Sequence, residues 1–449
     1  MNGSSINLHR SWFDYKPPIP GSLRRSVDIP RISILTWISL VAYLVTLALT
    51  QTKYYAPFMN IRWVTLGALV ASALADWILV GGRGKHRDRG SNGQILTIYL
   101  LATFGTVIYA ENWLFSGMRW ASHAAMLSVC VMFLPQIMIP RQTRKVLSII
   151  KYIFTALVVF SWVRPLIERI PDNGDLYHGA MGNSNTMGHI AFITALLFLQ
   201  SALTSQIPRD RFLSIAMVVA TTATVWQTGA RSSIIALSIG VLLLFHYYRR
   251  ETQRYVLVVI LSGGMLMTAF PNLPGEIMRF FVKAGSEHES SALNPMKSRL
   301  PVWTAAYDGF KQRPLLGWGF GAASNVLKRS EFTLTSLGVV ERDAVNDIMF
   351  MMEGCGVIGI VAYSLLLYIL FKQSPSRSQK SIMQSFSRGQ DVNPTAISLH
   401  HAHIILFVLS VCLILLNQLD NSALSAGNLI SVTLWLCVGG AMILRHELS

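Results

Sequence analysis

Ser298-Arg-Leu-Pro-Val-Trp303 and, ten residues on, Arg313-Pro-Leu-Leu-Gly-Trp-Gly-Phe320 lie inside a stretch, 272–345, that no bilayer would accept. It holds nine Lys/Arg against seven carboxylates. Everything before and after it reads as membrane helix. The expectation is therefore a helical frame whose outer mouth this segment closes.

Composition supports the frame. The chain has 449 residues, 52% hydrophobic and only 13% charged, where a soluble domain carries about 25% charged residues. A spanning helix needs ~20 apolar residues. Runs of that order lie near 32–50, 62–81, 94–110, 119–139, 147–166, 187–206, 212–228, 232–248, 255–271, 347–371, 399–418 and 426–444. The expected fold class is all-α, a polytopic membrane protein with about 12 transmembrane helices and one long external loop, periplasmic if the membrane is a bacterial inner one.

Net charge is 38 − 22 = +16. In a soluble protein that would suggest nucleic acid. Here the basic residues sit in short loops between apolar runs, as in cytoplasmic loops facing anionic lipid, so no nucleic-acid partner is expected. Basic clusters follow the second, fourth, sixth, eighth and tenth runs, on the side of the basic N-terminus. The positive-inside rule then makes both termini cytoplasmic, with tails at 1–31 and 445–449. The first thirty residues read as a tail before a first anchor, not as a signal peptide. Long loops escape the rule, so 272–346 belongs outside, between helices 1–9 (32–271) and helices 10–12 (347–444).

Polar residues gather at the external helix ends. Asp175-Leu-Tyr-His-Gly-Ala-Met-Gly-Asn-Ser-Asn-Thr-Met-Gly-His189 precedes the sixth run. It is either a capped helix start or a polar wall of a surface site. Thr228-Gly-Ala-Arg-Ser-Ser233 joins two runs with almost no loop. An arginine there is costly unless paired or solvated. Arg231 either snorkels or meets an anion beside a helix N-terminus. Arg299 is a second cation suited to phosphate by its planar fork. Trp303 is either an interfacial anchor or a platform for lipid or sugar.

The four cysteines lie in apolar runs without CxxC spacing and read as small buried hydrophobes. His400, His401 and His403 fall at the cytoplasmic end with no carboxylate or cysteine beside them, so no metal set is expected. Asp76 and Asp420 either pair with an arginine or, in a transporter, relay protons.

The series Gly179…Asn185…Gly188, Thr228-Gly-Ala-Arg231-Ser, Ser298-Arg299…Trp303, Arg313-Pro-Leu-Leu-Gly-Trp-Gly-Phe320 and Ala344-Val-Asn346…Glu353-Gly-Cys-Gly-Val-Ile-Gly359 resembles the O-antigen ligase/polymerase superfamily. The resemblance implies a GT-C-type glycosyltransferase of the bacterial inner membrane, without cofactor or metal. It implies an undecaprenyl-diphosphate-linked glycan as donor and a glycan or lipid A-core hydroxyl as acceptor, with membrane lipid and a chain-length regulator as further partners. The family's diphosphate-binding arginines fall on Arg231 and Arg299, and its Gly/Asn loop on Asn183 and Asn185. Arg313, Asn346 and Trp303, inside the matching motifs, join the substrate-binding set.

One departure bears on mechanism. Many relatives carry His directly before the Asn that enters the tenth run, as the favoured base. Here that residue is Val345, which cannot take a proton. The nearest carboxylates are Glu341, Asp343 and Asp347, and Asp343 and Asp347 are the candidate bases. Val345 also tilts the expectation from ligase towards polymerase. The alternative from another class is a transporter or flippase of a lipid-linked glycan, which would place ionisable groups midway along the spans. No repeat and no inverted pair of broken helices is legible in the sequence to support it.

Overall fold

The computed structural model describes residues 32–52, 60–81, 91–168, 179–181, 183–248, 300–321, 346–375, 394–418 and 428–448. The tail 1–31, the ninth apolar run, Arg299, Asp343, Val345 and Asp420 lie outside the described residues.

The described chain is helical, apart from one antiparallel bridge between Thr52 and Met181. The helices are α1 (Ile34–Thr50), α2 (Ile61–Gly81), α3 (Ser91–Ile108), α4 (Trp113–Ile137), α5 (Pro140–Glu168), α6 (Ser184–Thr204), α7 (Pro208–Gln227), α8 (Arg231–Tyr247), α9 (Leu300–Gln312), α10 (Asp347–Lys372), α11 (Pro394–Asn417) and α12 (Leu429–Leu448). Among the described residues, α2, α4, α5, α6, α10, α11 and α12 are long and apolar enough to cross a membrane. Helices α1, α3 and α8 are shorter apolar helices. The last helix runs on to Leu448, through most of the expected C-terminal tail.

Burial separates a core from a shell. Helices α6, α11 and α12 are enclosed on most sides, whereas α1, α2 and α7 leave Ile34, Val64, Leu79 and Phe212 outward. Outward apolar faces fit a hydrocarbon solvent, which takes over the role of an interior. Asp76 accounts for itself without an arginine. From α2 its Oδ2 accepts from the Ser33 backbone N–H (2.9 Å) and the Thr36 hydroxyl (2.7 Å), so it ties α2 to the start of α1. Helix α4 contains a π-helical turn over Ser128–Phe133, and a Cβ at Gly439 would strike the Cys130 carbonyl oxygen. Glycine at that position lets α12 lie against the widened turn.

The tenth apolar run is not one straight rod. Gly356 has φ +63° and ψ −154°, and α10 breaks there. The Tyr363 hydroxyl reaches Asp347, 3.2 Å away. A continuous helix would hold residues 16 positions apart about 24 Å from each other. A Cβ at Gly359 would come within 2.7 Å of the Met351 carbonyl oxygen. The two halves therefore fold back on each other. No inverted pair was legible in the sequence, and this broken helix lies within a single run.

A break in an apolar setting leaves backbone groups that must find partners. The turn 313–321 supplies them. Trp318 N–H donates to the Glu353 carbonyl (3.1 Å) and Gly319 N–H to that of Gly354 (2.7 Å). In return Val357 N–H donates to Pro314 O (2.8 Å) and Ile358 N–H to Leu315 O (3.4 Å). The backbones approach so closely that a Cβ at Gly317 would meet Gly354, and one at Gly356 would lie 2.5 Å from the Leu315 carbonyl oxygen.

Gly356→Ala should therefore lower the yield of folded protein and its melting temperature in detergent. Backbone at this positive φ and extended ψ is a region used essentially by glycine and costs a Cβ-bearing residue about 1–3 kcal/mol, and the collision adds to it. Gly67→Ala, where an added Cβ meets nothing within 4 Å, should leave both unchanged; equal behaviour of the two variants would contradict the stitched break.

Candidate functional site

The segment before α6 is pinned to two neighbours. Ala180 N–H donates to the Ser161 hydroxyl on α5 (3.1 Å), and Met181 bridges to Thr52 after α1. Gly179 sits at φ +58° with its α-carbon face against Ser161. Asn183 then caps α6: its Oδ1 accepts from the backbone N–H of Asn185 (2.6 Å) and Thr186 (3.3 Å). Of the two alternatives for this stretch, the capped helix start is what the local geometry builds. Asn185 lies in the first turn, partly buried.

One turn on, Gly188 admits the α7–α8 connection. A Cβ there would collide with Ala230 and lie 2.9 Å from both Thr228 Oγ1 and Ser233 Oγ. Gly229, at φ +62°, reverses the chain, and Arg231 opens α8, partly buried. His189 Nε2 lies 3.5 Å from Ser232 Oγ. The structure thus brings Asn183, Asn185 and Arg231 to one helix-end cluster. The N-cap of α8 is Ala230, which offers no side-chain hydrogen bond. The start of α8 therefore has no side-chain cap of the kind asparagine gives to α6 and α10, Ser233 N–H donating instead to the Ala230 carbonyl (3.0 Å), and a helix N-terminus carries partial positive charge.

The start of α10 forms a second group. Asn346 caps it, Oδ1 accepting from Ile348 (2.8 Å) and Met349 (3.2 Å) N–H, while its Nδ2 donates to the Gln418 carbonyl (2.8 Å). Asp347, fully buried, accepts from the Tyr363 hydroxyl, and Gln418 Nε2 donates to that hydroxyl (3.3 Å). Both groups belong to the same end of the bundle. Helices α8 and α11 run antiparallel, since Tyr248 at the end of α8 bonds His401 near the start of α11 (2.9 Å). Gln418, just past the end of α11, therefore stands where α8 begins.

Trp303 and Arg313 belong to α9 and the turn that follows it. Trp303 lies on α9, partly buried. Arg313 pairs with Glu111 (3.5 Å), and its guanidinium lies 4.2 Å from the centre of the Trp318 ring. Trp318 in turn donates to the Gly309 carbonyl (2.9 Å). These contacts lock the turn 313–321 onto α9 and the α3–α4 corner. Further contacts there escaped the sequence reading. Arg119 donates to Gly321 O (2.9 Å), Ser116 to Phe320 O (2.8 Å), and buried His123 stacks on Phe320 while bonding the Tyr99 hydroxyl (2.9 Å). The paired glycines of 317–321 and 354–359 were the available signal. Among the described residues no group of three or more His, Cys, Asp or Glu is placed to hold a metal ion. His403 bonds the Gln373 carbonyl (3.0 Å) at the opposite end of the bundle.

Asn183 tests the capping role directly. Asn183→Asp or Ser should keep the stability of the protein in detergent, and Asn183→Ala should cost about 1 kcal/mol of it; an undiminished melting temperature in Asn183→Ala would contradict the capping role.

Comparison with curated proteins finds no match. Residues 215–364 match the family model described as O-antigen ligase. The matched span runs from α7 through the α7–α8 turn, α9 and the stitched turn to both halves of α10. Over that third of its length the chain is similar to the O-antigen ligase family.

Proposed function

We propose that this chain is a GT-C-type glycosyltransferase of the bacterial inner membrane, with twelve spans and a periplasmic active face. It moves a glycan from undecaprenyl diphosphate to an acceptor hydroxyl, as a polymerase rather than a ligase. The observation that carries the reading is the start of α8. A partly buried arginine stands at a helix N-terminus with no side-chain cap, and α6 is held against it through Gly188. A guanidinium and the positive end of a helix dipole together suit a diphosphate.

In this reading the bond from the anomeric carbon to the diphosphate oxygen breaks, and the electron pair leaves with undecaprenyl diphosphate. Arg231 and Arg299 meet the growing negative charge, so no metal is called for. The acceptor oxygen forms the new bond to the anomeric carbon, and its proton passes to a carboxylate, Asp347 or Asp343. Asp347 is closed to solvent, which disfavours hydrolysis of the donor by water. Asn185 and Trp303 contact the glycan, Arg313 and Asn346 hold the walls, and a chain-length regulator acts on the product.

The transporter reading asks for ionisable groups along the middle of the spans. Asp76 does not meet that description: it lies near the end of α2, beside the start of α1, and its carboxylate ties the two helices together.

Arg231→Ala should lower glycan transfer in membranes of a deletion strain by on the order of 10²-fold or more, at wild-type protein level. Arg231→Lys should fall between the two, because it keeps charge and loses the fork. Wild-type surface glycan with Arg231→Ala would defeat the proposal. Single repeat units on lipid A in the deletion strain indicate a polymerase, and lipid-linked polymer with bare core indicates a ligase.

A further inference from the structure

Asp347 is held by groups from two directions. Tyr363, on the returning half of α10, donates to Oδ2, and Gln418 donates to Tyr363. Asn346, one residue before Asp347, donates back to the Gln418 carbonyl, so the contacts close a ring across the start of α10, its second half and the end of α11. A hydrogen bond to one oxygen fixes the plane of a carboxylate and hence the direction of the other. We propose that Tyr363 and Gln418 are positioning residues for Asp347 as the base that takes the acceptor proton, in a chain where Val345 stands at the usual histidine position. This rests on the glycosyltransferase reading above.

The fold-back of α10 is what makes the arrangement available. Only a helix broken at Gly356 can bring its own residue 363 to its first turn. The buried charge is moderated by its place at a helix N-terminus and by the Tyr363 donor. The other titratable neighbours are Tyr363 and Cys355 on α10, with Glu353 farther along the first half, and Tyr99 on α3. Helix α11 contributes Asn417 and Gln418, which do not titrate. Helix α9 brings Asp308 and Lys311, which pair with each other at the exposed surface (3.0 Å).

A donor to a carboxylate favours its ionised form. Its removal raises the carboxylate's affinity for a proton, and transfer that needs the ionised base is then lost at a higher pH. The test is full-length protein in membranes of the deletion strain, with the native lipid-linked donor and turnover followed from about pH 5 to 9. Tyr363→Phe, which keeps the ring, should move the acidic limb of the kcat profile upward by roughly one pH unit. It should lower kcat about tenfold at the acid end with little change in KM. Gln418→Leu should move the limb the same way by less. Tyr363→Phe in an Asp347→Asn background should add no further loss, because residues acting as a unit are non-additive.

A purely structural Tyr363 would instead lower protein level or melting temperature and leave the limb in place. An unmoved limb in Tyr363→Phe overturns the inference; if that variant does not accumulate, the limb of Gln418→Leu decides in the same way. The two readings separate through Asp347→Asn and Arg231→Ala. An inactive Asp347→Asn beside an unchanged Tyr363→Phe sinks only the positioning role. An active Asp347→Asn removes the base assignment and the inference with it, and an active Arg231→Ala removes the glycosyltransferase reading itself.

Discussion

Four backbone hydrogen bonds between the turn 313–321 and the break in α10 hold together the matched family segment. In water an open helix end is solvated; in a hydrocarbon frame each abandoned N–H or C=O costs several kcal/mol. The break is tolerable because a second irregular strand of chain lies within hydrogen-bonding distance of it. That strand can come so close because Gly317 and Gly356 face backbone rather than side chain. Once the break is fixed, the two halves of α10 must lie together, and Asp347 reaches Tyr363. The local polar geometry at the start of α10 follows from a constraint several residues away.

The turn is itself held from behind. Arg313 is drawn to Glu111 and Trp318, Arg119 and Ser116 take up the carbonyls of Gly321 and Phe320, and Phe320 rests on His123. The α3–α4 corner thus acts as a seat for a segment some 200 residues later in the chain. This describes Arg313 better as a clamp on the turn than as a hand on substrate. It also accounts for Trp318 standing between two glycines, the ring packing on Arg313 while the glycines admit the close backbone contacts.

Much of the helical frame was legible because a bilayer imposes a length and a composition that residues report directly. The broken helix was not. Gly354, Gly356 and Gly359 lie in an apolar run whose hydropathy is that of a straight span, and hydropathy does not register direction. At the helix ends the sequence located the groups and left their roles open. Asn183 could cap or bind, and its first partners are the amides of α6. Arg231 was found through the implausibility of a cation between two spans. The absence of a capping side chain at Ala230 is visible only when the helix boundary is known. Tyr363 and Gln418 carried no signal at all, since their relation to Asp347 exists only after α10 turns back.

The stitched break also has an order in time. Ribosomes deliver the chain from its N-terminus, so the α3–α4 corner emerges first, the turn 313–321 long afterwards, and α10 last. Each piece therefore finds its support already made: the corner awaits the turn, and the turn awaits the helix it will divide. An apolar run such as α10 enters the bilayer most simply as one rod, and its backbone then satisfies itself. In the finished fold the break takes four external backbone bonds, all from a strand that precedes it in the chain. Moving the turn to a position after α10 in the chain would preserve every contact of the finished fold and reverse the order in which they become possible.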